Sequence, residues 1–522
     1  MLTSPKTLEK LRRIEATYSA LVYEPFAAMA CEYLETDEHL RAVPGSPAGW
    51  KPCPAGTTWG RAWGSAWFRT SVTLSADQAR RPVYVTARTG GVEALFWLDG
   101  KPAGLFNFDP WVRNRGDHRA QLVSALPEAG QRLELAFEAY AGHPFEGCQP
   151  FDTIHNQGQY PVPFIRRFDG VELCHRNEQL EQFALDLRAL NQLSSSLPPE
   201  SFRKGEIDAA LAHVFAIVPQ DPARAPRDAW LPRLDEARAV MKPLLAKRNG
   251  DSAPFAGLIG HSHMDTAWHW TLDETIRKCA RTYSHALRLM EQYPEYRFIQ
   301  SSALHAEWMR RHYPSIFEGI RQRVAEGRWE PNGGGWIEPD VNLAGGEALI
   351  RHFLHGQSFT RKHFDYVSDT FWLPDTFGYS ASLPQILRGC GIRYFATTKL
   401  TWNETNTFPY DTFWWEGIDG SRVFAHFPDI HCAPDPETLI NKLHGTGPRD
   451  FRVAQNCVRH KDVNQRRLVA YGYGDGGGGP DPQMIEMARR CRDLEGCPRA
   501  EHTSVSAFMQ GLEQHAPAAP VY

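Results

Sequence analysis

The segment "FAGLIGHSHMDTAWHW", residues 255–270, joins a short apolar run to three histidines, an aspartate and two tryptophans. The apolar run predicts a buried strand. On an extended backbone, side chains two positions apart share a face, so His261, His263 and Asp265 are expected to point the same way where the strand ends. Imidazole nitrogen and carboxylate oxygen at this spacing suit a divalent ion such as zinc. An H-x-D pattern also occurs by chance, so the segment needs support from the rest of the chain.

That support comes from the alternation of strand-like and helical patterns after residue 251. Apolar runs such as "RFIQSSA", "DTFWLP", "IRYFATTK" and "RLVAYGYG" are separated by amphipathic helices such as "DETIRKCARTYSHALRLMEQY". This spacing predicts βαβ units and a parallel sheet or barrel. In an α/β barrel, functional groups gather where strands end. The residues that follow the apolar runs are His261, His263, Asp265, Asp375, Lys399, Asp429 and Asp475.

Two of these positions, and the nearby Trp268, have local alternatives. Asp375, in "WLPDTFGYSASLPQIL", can act as a ligand, a nucleophile or a helix cap, but the next helix is predicted to begin about five residues later, which weakens the capping role. Asp475 lies in "YGYGDGGGGP", which lacks the G-K-[ST] ending of a phosphate loop and is interpreted as a tight turn. Trp268 either lines a ligand pocket or packs in the core. The stretch "GGGWIEPDVNLAGGEAL" also offers Glu338 and Asp340.

The sequence before residue 251 predicts a different architecture. Residues 1–51 read as helical, and residues 52–182 contain short β-branched and aromatic strands with a "DG" hairpin signal, which predicts an antiparallel β-sandwich. Residues 183–250 form a helical linker in this reading. Residues 251–500 are the predicted barrel, and residues 501–522 are the start of a further connection.

Composition limits the classes of partner. The 522 residues carry a net charge of -4, which offers no global field for nucleic acid or anionic membrane. No stretch reaches the ~18 consecutive apolar residues of a membrane span, and the N-terminus lacks a signal-peptide pattern. The ten cysteines contain no C-x-x-C pair and several lie in apolar segments. A cytoplasmic protein without disulfides is therefore expected.

Five long motifs resemble those of the glycoside hydrolase family 38 α-mannosidases, particularly the cytosolic and bacterial branch. They are "HSHMDTAWHW", "GRWEPNGGGWIEPDVNLAGGEALIRHFLHGQ", "WLPDTFGYSASLPQILRGCGIRYF", "TFWWEGIDGSRVFAHFP" and "YGYGDGGGGP". The resemblance implies a seven-stranded (β/α) barrel with one zinc ion and retaining hydrolysis of terminal α-mannosides. It implies His263 and Asp265 as zinc ligands and Asp375 as both nucleophile and ligand. It also implies that Trp268 and Lys399 line the sugar subsite. The tight turn predicted around Asp475 is expected to bring this residue to the same pocket.

Two departures from the family pattern affect these expectations. After "AHFP" the chain reads "DIHCAPDPETL", so the acid/base is expected at Asp429, with Asp435 as the alternative. The segment that carries the family's fourth zinc ligand does not appear before Tyr522. The resemblance therefore implies a truncated chain of low activity, with an apolar face that favours self-association into a homo-oligomer.

Two other functions remain open from the sequence. A metal-dependent carbohydrate deacetylase also uses Asp and His ligands in a seven-stranded barrel, but it needs a metal-bound water and no covalent intermediate. A catalytically silent sugar-binding protein is the other alternative, because one ligand of the family is missing from this chain.

Overall fold

Strands begin nearer the start of the chain than the sequence predicts. The computed structural model describes residues 5–46, 48–107, 118–142, 165–268, 270–403, 405–445 and 457–522. Helix α1 spans Pro5–Ser19, and strands β1 (Tyr23–Ala28) and β2 (Cys31–Thr36) follow it. The expectation of a helical segment over residues 1–51 is thus corrected beyond Ser19. Both strands pair with segments distant in sequence, and this pairing overrides local propensity.

Two antiparallel sheets share one core in this part of the molecule. Their other strands are β3 (Lys51–Cys53), β5 (Ser65–Thr73), β6 (Val83–Arg88), β7 (Glu93–Leu98), β8 (Lys101–Asn107), β9 (Ala120–Ser124), β10 (Arg132–Tyr140) and β12 (Gly170–Arg176), while β4 (Thr58–Trp59) pairs separately with β11 (Arg166–Arg167). The sheet orders are β1-β12-β6-β9 and β3-β2-β5-β10-β7-β8. Val85 and Leu173 of the first sheet pack with Phe68, Phe96 and Phe137 of the second. We call these two sheets the antiparallel domain.

Three helices connect this domain to the parallel strands, as the amphipathic patterns predict. They are α2 (Glu178–Ser196), α3 (Phe202–Ile217) and α4 (Arg227–Leu245). Asn177 caps α2 by accepting a hydrogen bond from the Leu180 amide at 3.0 Å, and Ser201 caps α3 through the Lys204 amide at 3.4 Å. Such capping satisfies amide groups that a helix start leaves without intrahelical partners.

The second half of the chain alternates strands and helices. The strands are β13 (Phe255–Gly260), β14 (Phe298–Ile299), β15 (Trp329–Glu330), β16 (Thr370–Trp372), β17 (Tyr394–Ala396), β18 (Thr412–Glu416), β19 (Arg422–His426), β20 (Asp429–Cys432), β21 (Arg466–Tyr471) and β22 (Arg499–His502). The helices are α5 (Leu272–Gln292), α6 (Ala303–His312), α7 (Pro314–Ala325), α8 (Gly346–Phe364), α9 (Leu383–Gly389), α10 (Pro436–His444), α11 (Pro482–Cys491) and α12 (Val505–His515). The α/β class predicted from the alternation is confirmed.

These strands form two sheets that enclose a common interior. One sheet has the order β15-β14-β13-β21-β20 with β22 beside β13, and all of its pairs are parallel. The other has the order β16-β17-β19-β18, in which β18 is antiparallel to β19 and the remaining pairs are parallel. Within the described residues, no strand ladder joins the two sheets. Ile259 and Leu468 of the first sheet nevertheless share a buried cluster with Trp372 and Tyr394 of the second. Parallel strands place their carboxyl ends at one rim, and His263, Asp265, Asp375, Lys399 and Asp475 each follow the carboxyl end of a strand, whereas Asp429 begins β20.

The last residues belong to this interior. Helix α12 contributes Val505, Phe508 and Leu512 to the cluster shared by the parallel sheets, and Val521 bridges to Trp414 of β18. Residues 501–522 therefore pack on the parallel sheets instead of leading away from them, which corrects the predicted domain boundary at residue 500. The reason is that apolar side chains of α12 are buried in the cluster that these strands share.

The described residues contain neither a disulfide nor a helix that could span a membrane. The nine cysteines in the described ranges are all free thiols, and Cys148 lies outside these ranges. No helix in the part of the chain that the structure describes is long and apolar enough for a membrane span.

Candidate metal centre and active site

The two histidines of "HSHMD", residues 261–265, lie in different surroundings: one faces the protein interior and the other faces the site. The Nε2 atom of His261 accepts a hydrogen bond from the Trp372 indole at 3.3 Å, and burial holds the pKa of His261 well below 6.5. His263, with 2% of its surface exposed, instead faces the acidic residues. The expectation that both histidines point together is corrected, because the backbone after β13 is not a regular strand.

Four side chains meet at the rim of the parallel strands. Single ligand atoms of His263, Asp265, Asp375 and Asp475 all lie within 4.8 Å of one another. Nε2 of His263 is 3.0 Å from Oδ2 of Asp375 and 3.4 Å from Oδ1 of Asp265. We call this group the acidic cluster. One imidazole surrounded by carboxylates is a donor set that zinc and other divalent ions accept.

The histidine at the centre of the acidic cluster shows the strongest sign of an ion site. Both ring nitrogens of His263 are buried among acidic groups: Nε2 lies 3.0 Å from Oδ2 of Asp375, and Nδ1 lies 3.7 Å from Oε2 of Glu338. Carboxylates held this close to one another repel, so their arrangement around one buried imidazole favours a cation among them. Burial disfavours the charged imidazolium, but the negative charges of Glu338, Asp265 and Asp375 hold the pKa of His263 well above 6.5. A divalent cation would satisfy the same negative charges.

Asp375 lies between two positive groups in the loop after β16. Lys399 places Nζ 2.6 Å from Oδ1 of Asp375, and His263 faces the other carboxylate oxygen. Burial opposes ionisation of Asp375, but His263 and Lys399 outweigh it and lower the pKa of Asp375 to about 2. Helix α9 begins only at Leu383, so Asp375 is not its cap. The carboxylate is therefore ionised at neutral pH and is free to bind an ion or attack a substrate.

Glu338 lies behind the histidine, on the side away from the carboxylates. Its Oε2 atom is 3.7 Å from Nδ1 of His263, and Ser301 donates a hydrogen bond to Oε1 at 3.0 Å. Burial raises the pKa of Glu338 to about 7, although His263 and Ser301 oppose the rise. Carboxylates in this position commonly orient a metal-binding imidazole. Asp340 instead accepts the amides of Asn342 and Leu343 at 2.8 and 2.7 Å, which assigns it to a turn.

The glycine-rich turn brings Asp475 to the acidic cluster. Tyr473 and Gly479 bridge the base of the turn, and Asp475 adopts a positive φ of 57° at its tip. Gly474 is required by close approach, because a Cβ there would lie 2.1 Å from Cε1 of His431. Nε2 of His431 is 3.3 Å from Oδ1 of Asp475. His431 was not among the site residues predicted from the sequence.

Phe377 and Trp402 lie beside Lys399 with exposed rings, and Trp268, three residues after Asp265, is exposed as well. Trp268 is 47% exposed, Phe377 is 75% exposed and Trp402 is 44% exposed. Nζ of Lys399 is 3.8 Å from the centroid of the Trp402 ring and 4.9 Å from that of Phe377. Trp268 and Lys399 were predicted from the sequence, but Phe377 and Trp402 were not. Their positions two residues after Asp375 and three after Lys399 are the signal that could have found them.

Neither acid/base candidate from the sequence joins the acidic cluster. Asp429 is completely buried, forms an ion pair with Arg467 and lies 3.0 Å from Nζ of Lys442. Asp435 caps α10 by accepting the Thr438 amide at 2.9 Å. The strand register between β20 and β21 shifts between Asp429 and Cys432, and His431 has a φ of 55°. This bulge explains why Asp429 points inward while His431, two residues later, reaches Asp475.

Comparison with known proteins identifies the class. A family model for the glycosyl hydrolases family 38 N-terminal domain matches residues 256–522, which include every member of the acidic cluster. The chain therefore belongs to glycosyl hydrolase family 38.

Its individual relatives are α-mannosidases. Human alpha-mannosidase 2C1 is 32% identical over 482 residues, covering 92% of this chain and 44% of the relative. Alpha-mannosidase G of Dictyostelium discoideum is 31% identical over 471 residues, covering 89% of this chain and 41% of the relative. An alpha-mannosidase structure from Enterococcus faecalis is similar with a TM-score of 0.41 and 16% identity, over 51% of this chain and 30% of that one. The chain thus spans less than half the length of these relatives.

Proposed function

We propose that this protein is a zinc-dependent retaining α-mannosidase that removes terminal α-linked mannose from oligosaccharides. The observation that carries the proposal is the convergence of His263, Asp265, Asp375 and Asp475 at one rim of the parallel strands. The α-mannosidases among its relatives support the substrate class. The shared interior of the two parallel sheets supports a barrel of the (β/α) type.

In this proposal the metal ligands are His263, Asp265 and Asp375. A bound zinc ion would supply Lewis-acid character and orient sugar hydroxyls. Glu338, with Oε2 3.7 Å from Nδ1 of His263, would help to orient the imidazole so that Nε2 is the atom available to an ion. Lys399 keeps Asp375 ionised and holds its Oδ1 atom in place.

The two carboxylates required for retention are assigned to Asp375 and Asp475. Retaining glycosidases place the nucleophile and the acid/base about 5 Å apart, and oxygen atoms of these two residues lie within 4.8 Å. Asp375 attacks the anomeric carbon, and Asp475 donates a proton to the departing oxygen before it activates water. Asp475 suits proton exchange because its side chain is 45% exposed. Asp429 does not, because no part of it is accessible.

The exposed aromatic rings suit a sugar substrate. Trp268, Phe377 and Trp402 offer apolar faces beside polar groups, and this combination matches the faces and hydroxyls of a pyranose. Their exposure also leaves room for a glycan that extends away from the cleaved residue. A cytoplasmic location is proposed from the free thiols, since extracellular proteins commonly pair theirs.

The test combines turnover with covalent labelling of the 522-residue protein. Zinc-loaded protein is assayed with an aryl α-mannoside and an α-linked mannose disaccharide, and a fluorinated mannosyl inactivator is used to trap the glycosyl-enzyme. We expect label on Asp375 and loss of turnover in Asp375→Asn. Asp340→Asn is the matched control, because the amide can still accept the turn hydrogen bonds. Label on another carboxylate, or turnover that survives Asp375→Asn, would contradict the assignment.

The acid/base assignment has its own signature. Proton donation matters most for a poor leaving group. Asp475→Asn should therefore reduce disaccharide hydrolysis by about 100-fold or more and activated aryl mannoside cleavage much less. Azide should restore part of the aryl mannoside turnover by replacing the missing base. Equal losses on both substrates would show that Asp475 acts as a ligand and not as the acid/base.

A further inference from the structure

The turn that carries Asp475 is held by two residues of helix α5. The amide of Gly478 donates a hydrogen bond to Oγ1 of Thr282 at 3.0 Å. The carbonyl oxygen of Pro480 can only accept, and Nε2 of His285 lies 3.1 Å from it. Both side chains of α5 are buried and belong to no part of the acidic cluster.

A third contact comes from the antiparallel domain. Nε2 of His118 lies 3.4 Å from the same Pro480 carbonyl oxygen, and the His118 ring packs edge-on against Tyr473 with centroids 5.5 Å apart. The side-chain amide of Gln121, from β9, lies 3.2 Å from Nδ1 of His285. The antiparallel domain therefore contacts the turn directly through His118 and indirectly through Gln121.

Buried ion pairs fix α5 to the antiparallel domain. Glu93 of β7 lies 2.8 Å from Nζ of Lys278 and also pairs with Arg281. Arg281 is only 2% exposed in its side chain and lies 2.7 Å from Glu274 as well. Charges buried in this way tolerate little movement, because each loses its partner when the geometry changes. Helix α5 thus transmits the position of the antiparallel domain to the turn.

The turn needs such contacts because of its own sequence. Gly476, Gly477, Gly478 and Gly479 all adopt positive φ values between 67° and 133°. Consecutive glycines give a chain many accessible conformations, so its own backbone selects none of them strongly. The position of Asp475 must then be selected by groups outside the turn.

We propose that His118 of the antiparallel domain is a positioning residue for Asp475. Together with Thr282 and His285 it selects the one conformation of the glycine-rich turn that places Asp475 beside His263 and Asp375. The proposal rests on the acid/base function proposed for Asp475 above. It adds a role for the antiparallel domain, to which the proposed function assigns none.

Hydrogen exchange tests the contact itself. In His118→Leu, the amides of residues 472–479 should exchange about 10-fold faster than in the wild-type protein, because local opening of the turn becomes easier. His175→Leu is the matched control. It removes another buried imidazole of the same domain, whose Nδ1 lies 3.1 Å from the carbonyl oxygen of Pro82. Unchanged exchange in the turn, or an equal change in the control, would overturn the proposal.

A double-mutant cycle tests the consequence for Asp475. His118→Leu should lower kcat on the disaccharide by about 10-fold with little change in KM. His118→Gln, which keeps a donor near the Pro480 carbonyl, should restore most of it. Adding His118→Leu to Asp475→Asn should cost nothing further, because the group being positioned is already gone. Independent, multiplicative losses would mean that His118 has only a structural role.

Thr282→Val provides a second route if His118→Leu folds poorly. Valine has nearly the shape of threonine but lacks the hydroxyl that accepts from Gly478, while Thr282→Ser retains it. The same loss for valine, the same rescue by serine and the same absence of effect in Asp475→Asn are expected.

Cobalt binding separates this proposal from the proposed activity. The negative charge of Asp475 lies close enough to strengthen Co²⁺ binding at the acidic cluster whether or not it is a ligand. His118→Leu and Asp475→Asn should each weaken Co²⁺ binding, and the double variant should match Asp475→Asn alone. A wild-type protein that cleaves no mannoside would contradict the proposed function, while exchange and Co²⁺ titration would still decide the role of His118.

Discussion

Nζ of Lys399 lies 2.6 Å from Oδ1 of Asp375, so one oxygen of this carboxylate faces a lysine while the other faces His263. The two oxygens therefore have different surroundings before any ion or substrate binds. This arrangement keeps Asp375 ionised in a largely buried position, where a carboxylate alone would favour its neutral form.

Replacing Lys399 by methionine should lower kcat/KM for an aryl α-mannoside by about 10- to 100-fold. Methionine keeps an apolar side chain beside Trp402 but removes the charge that holds Asp375. Lys399→Arg should recover part of the loss, and Lys362→Met, on the exposed face of α8, should have no effect. An unchanged kcat/KM in Lys399→Met would show that His263 and the ion suffice to position Asp375.

His263→Ala should weaken zinc binding by at least about 100-fold, because it removes the imidazole at the centre of the acidic cluster. Asp265→Ala should also weaken binding. Isothermal titration of metal-free protein with zinc measures both, and His213→Ala, at an exposed position on α3, is the control. Wild-type affinity in His263→Ala would place the ion elsewhere.

Asp429→Asn should destabilise the protein and leave the chemistry of the remaining folded molecules intact. It removes a negative charge beside the buried guanidinium of Arg467, and breaking a buried ion pair typically costs about 3–5 kcal/mol. Thermal unfolding should therefore begin several degrees lower, whereas Asp475→Asn should unfold near the wild-type temperature. A stable Asp429→Asn protein with a selective loss on poor leaving groups would return Asp429 to the acid/base role.

Metal-free protein should lose stability as the pH falls from about 7 to about 5. Burial lowers the pKa of His118, His352 and His502 from 6.5 to about 4. These groups stay neutral in the folded state, while the unfolded chain binds protons below pH 6.5, so acidification favours unfolding. His263, whose pKa is raised, acts in the opposite direction as the pH rises above its unfolded value.

The unfolding temperature measured across that pH range checks this expectation. His502→Gln removes one of the three titrating groups and should make the dependence shallower. A flat profile, or one that is unchanged in His502→Gln, would show that these histidines become charged without unfolding the protein.

Much of the fold and part of the site could be predicted because their signals are local. The alternation of apolar runs with amphipathic helices predicted the α/β second half. The same pattern located His263, Asp265, Asp375 and Asp475 after strands, and the structure brings them together. The strands Tyr23–Ala28 and Cys31–Thr36 were missed because their partners lie far along the chain.

In the second half of the chain, the sequence by itself determined which elements form and which of them end in metal-binding or acidic groups, because periodicity and composition are properties of short segments. Only the tertiary structure decided which of those groups share a site. The bulge between Asp429 and Cys432 turns one carboxylate toward Arg467 and brings His431 to Asp475. A bulge is set by pairing with a neighbouring strand, and the position of the glycine-rich turn is set by α5 and the antiparallel domain. Such contacts between distant segments have no local sequence signal.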